Sequence, residues 1–270
     1  MRTDRNLQLS SSDDGTRHLQ LTVPESWEEL TQEQLRMVLN VLATFSPMEA
    51  KVVLLMRLCG FYIDTAVEKC FRCYTAETKE VFFLQTWQVQ WCIEHLSFVD
   101  GFEGFSVRLD SIDTLQPVDE LLHGVPFEDF LDLDVNYQMF LSDKEDTNYL
   151  QTIGRFLYRP CVEEEHLADP ENYDQEYEFT PGERLNCFLW FSWVKAQFSE
   201  WFPNYFTSGK AKSSVDKRKL LHDRQIQIRA LTGGDITKEK EILKMDCWTA
   251  LYELDAKAKE AADYKRKMKK

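Results

Sequence analysis

Apolar residues recur at helical spacing along most of this chain, and the polar residues between them are placed to start and stop helices. Leu35, Val38, Leu39 and Leu42 form one stripe. Thr31 precedes it as an N-cap, Gln34 completes a capping box, and Leu30 and Leu35 are spaced as a hydrophobic staple. Ser46-Pro47-Met48-Glu49 repeats the start signal, and Gly60 ends an almost wholly apolar helix. Gln85–His95 reads as a helix with Trp87 and Trp91 one turn apart. Residues 127–141 and 148–158 read as a helical hairpin joined by 143–146 with Thr147 as cap. Thr180-Pro181-Gly182-Glu183 opens an aromatic-rich helix to about Phe202. A basic helix follows over 215–231 and stops at Gly233-Gly234; Thr237 with Lys240 marks a weaker start, and a last helix runs from Asp246 to about Lys267.

Strand patterns are few and short: 18–23, 79–84 and 105–109. The stretch 61–74 fits neither period cleanly. Only 10 Gly and 8 Pro are present, too few for the turns of an all-β sandwich or barrel. The expected fold is mainly α, a helical protein with a few short strands and two packed helical subdomains. The expected organisation is a disordered polar leader (1–17), a helical domain with short strands (18–160), an acidic loop (161–179) and a helical C-terminal module (180–270). The acidic loop carries eight Asp and Glu and no basic residue, which marks it as a solvated hinge.

With 43% hydrophobic and 13% aromatic residues, including 18 Phe and 7 Trp, the composition is that of a globular protein. No apolar run reaches the ~18 residues of a membrane span, and the polar N-terminus has no signal-peptide core. Seven cysteines, most of them among apolar neighbours, suit reduced, buried thiols, so a cytoplasmic location is expected.

Charge divides the chain. Residues 209–270 hold 17 Lys and Arg against 10 Asp and Glu, a net of +7, which leaves −21 on the remainder. An acidic body repels nucleic acid, whereas the basic third either folds back on that body or binds a phosphate backbone or an acidic partner.

Candidate chemistry is sparse. Cys70, Cys73, Cys92 and His95 have zinc-ribbon spacing, but no Gly or Pro knuckle flanks either pair, and core thiols are the expectation. Glu128, Asp129, Asp132 and Asp134 could hold Mg²⁺ or exchange protons, yet the interleaved Phe127, Phe130, Leu131 and Leu133 make an amphipathic helix with an acidic outer face. No P-loop, G-x-S-x-G, G-x-G-x-x-G or H-E-x-x-H pattern occurs. No enzyme activity, cofactor or metal is expected.

Gly124-Val125-Pro126-Phe127-Glu128-Asp129-Phe130 with Asn136-Tyr137-Gln138 forms one recognisable stretch. Ile228 to Glu239, including Leu231-Thr232-Gly233-Gly234-Asp235, with Trp248 and Leu251 forms another. Together with Pro24-Glu25-Ser26-Trp27 to Leu35, they resemble an uncharacterised bacterial prophage-type protein family. The acidic body and Trp-anchored basic end are also similar to tail-assembly chaperones. The resemblance implies an accessory structural or assembly protein of a phage-type tail, with a tail or tape-measure protein as partner. A nucleic-acid-associated factor using 209–270 is the alternative, and a carboxylate-dependent enzyme the third reading. Met245, Trp248, Leu251 and Tyr252 share a helical face and are the expected partner-binding residues; the competing reading has Trp248 docking the last helix on its own core.

Overall fold

The start signals work as local hydrogen bonding dictates. The Thr31 hydroxyl accepts from Gln34 N–H at 3.2 Å while the Gln34 amide oxygen accepts from Thr31 N–H at 3.0 Å, opening α1 (Gln32–Thr44). Ser46 donates through its N–H (3.2 Å) and its hydroxyl (2.6 Å) to the Glu49 carboxylate at the head of α2 (Pro47–Cys59). The Ser46 hydroxyl, then its N–H, hold the Glu49 carboxyl below the usual range. Gly60 ends α2 at φ +68°, a left-handed conformation that glycine adopts without a Cβ penalty.

The computed structural model describes residues 6–10, 18–102, 105–160, 177–206 and 216–268. Among them are nine α-helices and a few short antiparallel strands, a mainly α fold. No helix among the described residues is long and apolar enough to cross a membrane. The chain divides into two compact units, residues 1–107 and 108–270.

In the first unit, β1 (Asn6–Ser10) pairs antiparallel with β2 (His18–Thr22), so part of the expected polar leader is strand. Phe61–Val67 (β3), Cys70–Thr75 (β4) and Val81–Gln85 (β5) form an antiparallel meander that leads into α3 (Thr86–His95). The ambiguous 61–74 stretch is thus a hairpin. The expected strand at 105–109 is absent; these residues are irregular, and Phe105 is buried against Trp27 at a ring separation of 5.0 Å. Val38, Leu39, Leu54, Leu55, Phe61, Leu84, Cys92 and Leu96 are buried in the core of this unit.

In the second unit, β6 (Leu115–Pro117) pairs with β7 (Tyr158–Pro160), at the end of the helical hairpin α4 (Phe127–Ser142) and α5 (Asn148–Leu157). Thr147 is the N-cap residue of α5 as expected, but it is the neighbouring Asp146 carboxylate, not the Thr147 hydroxyl, that accepts from Asn148 N–H, at 3.0 Å. The helices α6 (Pro181–Trp201), α7 (Lys217–Thr232), α8 (Glu239–Lys244) and α9 (Cys247–Met268) complete it. Cys187, Trp190, Phe191, Val194 and Phe198 bury one side of α6 completely.

The division at 107/108 differs from a split at the acidic loop. Residues 161–176 lie outside the described residues, but both of their flanks pack together. The Gln151 side chain donates to Tyr177 O at 2.5 Å and accepts from Phe179 N–H at 3.0 Å. A Cβ on Gly154 of α5 would come within 2.8 Å of the buried Phe179 ring. Tertiary burial across this connection places 108–160 and 180–270 in one unit.

Candidate functional site

Three constellations were legible as candidates, and the fold disposes of each differently.

The first surrounds the start of α9. Asp246 caps the helix: one carboxylate oxygen accepts from Trp248 N–H (3.0 Å) and Thr249 N–H (3.3 Å), and the other from Gly124 N–H at 2.5 Å. The backbones of the two segments pair, with Phe127 N–H donating to Met245 O (2.7 Å) and Cys247 N–H to Val125 O (2.9 Å). Trp248 is 8% exposed and Leu251 fully buried, whereas Tyr252 is 55% exposed and Met245 half-buried. Trp248 also meets Phe198 and Phe202 edge-on, at 5.3 and 5.4 Å. The expectation that Met245, Trp248, Leu251 and Tyr252 present one partner-binding face is therefore corrected. Trp248 and Leu251 are committed to the core of their own unit, because the 124–127 segment and α6 cover that side of α9. Beneath them the Cys247 thiol, whose S–H donates to Leu122 O at 3.2 Å, is pushed up to about 12, by burial first and then by the Asp246 carboxylate.

The second is the acidic face of α4. Each carboxylate has a cation from elsewhere in the unit: Asp129 pairs with Arg159 (2.7 Å), Asp134 with Lys195, and Glu128 and Asp132 with Arg224 (3.6 and 3.1 Å). The Lys195 ammonium also lies 5.4 Å from the Tyr137 ring centroid. Asp132 is held above the usual carboxylate range by burial, opposed by Arg224 and reinforced by Glu128 and Asp129. Arg224 belongs to the basic helix α7, so part of the basic third folds back on the acidic surface. This arrangement ties four helix-borne charges to α5–β7, α6 and α7, and it is structural in character.

The third is the thiol set. Cys70 and Cys73 lie three apart on β4, so they project from opposite faces; Cys73 shares its face with Phe82 and Ile63, its cross-strand neighbours. Burial pushes Cys73 and Cys92 up to about 11. His95 lies with Nδ1 2.8 Å from Trp91 O and Nε2 3.4 Å from the Glu25 carboxylate. The zinc-ribbon spacing thus fails to converge in space. Among the described residues no group of three metal-ligating side chains is gathered, and the six described cysteines are unbridged.

Sequence reasoning missed the outer face of the β3–β5 sheet. Tyr62 faces Tyr74, which faces Val81; the two tyrosine rings stack at 5.3 Å, with the Lys79 ammonium 5.3 Å from the Tyr74 centroid. Arg72 stands between Asp64, which it pairs with at 2.7 Å, and its cross-strand neighbour Phe83. Phe61, Cys73, Phe82 and Leu84 are buried on the opposite face, while Val81 (49%) and Phe83 (54%) are exposed. Trp87, in the first turn of α3, is 63% exposed. The available signal was Val81-Phe82-Phe83-Leu84, a strand apolar on both faces.

No family model, curated protein or solved structure matches this chain.

Proposed function

We propose that this chain is an accessory structural or assembly protein of a phage-type tail, acting by protein–protein contact. The observation that carries the reading is the exposed apolar face of β3–β5. An antiparallel sheet with one face on the core ordinarily turns polar side chains to water on the other. Here Tyr62, Val81 and Phe83 stand on that side, and contiguous exposed apolar surface is characteristic of protein contact sites. The class of partner, a tail-tube or tape-measure protein, comes from the sequence resemblance alone.

Co-expression of the chain with the tail-tube and tape-measure proteins of its own genetic element tests this. The expected result is a complex retained by the wild type and lost by Phe83→Asp/Trp87→Asp, with the melting temperature of the variant unchanged. Absence of a complex with any tail protein rejects the reading.

A second reading, a nucleic-acid-associated factor, draws on Lys217, Arg218 and Lys219, all exposed in the first turn of α7. It requires DNA or RNA affinity that falls steeply with salt.

A further inference from the structure

The end of α9 is a bare basic helix. Cys247, Trp248, Ala250, Leu251 and Leu254 are buried and fix its first turns. Asp255 then accepts N–H groups from Asn204 (2.7 Å) and Tyr205 (2.9 Å). From Lys259 to Met268 every residue is exposed. Lys259 to Met268 corresponds to about 14 Å of helix at about 1.5 Å per residue. This tip keeps helical form through local means. Ala261, Ala262, Lys265 and Arg266 are strong helix formers, Glu253 pairs with Lys257 at 3.0 Å and Asp263 with Arg266 at 3.7 Å, and Lys265, Arg266 and Lys267 complement the helix dipole.

Residues 257–270 hold seven Lys and Arg against Glu260 and Asp263, a net of +5, leaving −19 on the rest of a chain whose total is −14. Tyr264 and Met268, 65% and 71% exposed, lie one turn apart among these cations as apolar anchors. We propose that this tip is a docking element whose occupant is a second copy of this chain, the basic tip of one molecule seating on the acidic surface of the next. Charge complementarity is present within the one sequence, +5 on the tip against −19 on the rest. Two acidic molecules repel at close range, but an exposed tip of about 14 Å exceeds the ~8 Å screening length of physiological salt. The tip therefore engages local acidic charge while the two bodies are screened from each other. Glu260 and Asp263 interrupt the cations, and Tyr264 and Met268 add apolar contact; both suit a protein surface better than a row of phosphates. The contact is head-to-tail, so it repeats from copy to copy.

Sedimentation velocity of the full chain over a concentration series is the test. The wild type is expected to associate at physiological salt and to dissociate toward about 1 M salt, where the screening length falls to about 3 Å. Lys265→Glu/Arg266→Glu/Lys267→Glu is expected to stay monomeric under the same conditions with its helical circular dichroism and melting temperature intact, since these side chains are exposed. A wild type that is monomeric throughout overturns the proposal, as does association that survives the triple reversal. A wild type that stays monomeric but binds a random-sequence DNA duplex, with binding lost in the reversal, assigns the tip to nucleic acid instead. Capture of tail proteins is read separately through Phe83 and Trp87, so failure of one proposal leaves the other standing.

Discussion

The Trp248 indole lies almost parallel to the His123 imidazole, with 4.4 Å between ring centroids and 14° between planes, and its N–H donates to Leu121 O at 2.7 Å. Residues 121–127 and 245–248 are far apart in sequence, yet backbone pairing, the Asp246 cap and this ring stack make them a single joint. Gly124-Val125-Pro126-Phe127 and Trp248 are thus the two sides of one packing contact. They hold α9 to its unit.

Trp248→Ala is expected to destabilise the protein by about 3–5 kcal/mol, the usual cost of emptying a large aromatic site. Trp248→Phe keeps most of the packing and leaves Leu121 O without its indole donor, costing about 1–2 kcal/mol. Denaturant unfolding monitored by circular dichroism measures both. A Trp248→Ala variant as stable as the wild type would return this residue to the list of surface contacts.

Gly154→Ala places a methyl group where the Phe179 ring already stands, 2.8 Å from the nearest ring carbon. Phe179 is buried, with the Tyr177 and Tyr158 rings at 5.0 and 6.5 Å. A helix-interior Gly→Ala change ordinarily gains about 1 kcal/mol; here a net loss of about 1–3 kcal/mol is expected from overpacking. Combining it with Phe179→Leu should recover part of the loss, and the double-mutant cycle reads that coupling directly.

Asp132 gives an unusual sign of pH dependence. Its carboxyl is held above the usual range by burial, so the folded state binds the proton more tightly than the unfolded chain. Its contribution to stability therefore improves as pH falls through the folded-state pKa and is least favourable above it. Arg224→Gln removes the cation that opposes this shift and is expected to move Asp132 further up. Carboxyl-carbon NMR titration checks the direction; a downward movement contradicts the pairing of Arg224 with Asp132.

Thiol reactivity should be suppressed in the native protein. Burial raises Cys59 and Cys247 to about 12, Cys73 and Cys92 to about 11, and Cys187 further still. At pH 8 these side chains are neutral thiols, and the nucleophile is the thiolate. Disulfide-reagent titration is expected to be slow for these five in native buffer and fast in strong denaturant, with mass spectrometry assigning the sites. Rapid native labelling of Cys187 would place it outside the core.

The two faces of β5 should respond oppositely to truncation. Phe82 is buried and meets Phe61 edge-on at 5.7 Å, so Phe82→Ala is expected to cost about 3–5 kcal/mol. Phe83 is exposed, and Phe83→Ala should stay within about 0.5 kcal/mol. Equal costs would mean a strand register shifted by one residue.

Helices were readable because their determinants are local. Thr31 with Gln34, Ser46 with Glu49 and Thr180 with Glu183 act within one turn, and each opens a helix where its spacing predicts. The 127–142 and 148–157 hairpin was equally legible from its apolar period. The β3–β4 hairpin was not, because Phe61 to Tyr74 carries apolar residues on both faces of the sheet and so lacks clean alternation. Nor was β6 against β7: each is three residues long, and their pairing is a contact between distant segments. The face that Trp248 presents was legible from spacing, but what covers it was not. Helical periodicity says which side chains share a side, and only long-range packing decides whether that side meets solvent, a partner or the chain's own His123. For the same reason the carboxylates of α4 could be counted in the sequence, while their partners Arg159, Lys195 and Arg224 became visible only once three separate elements converged on one helix.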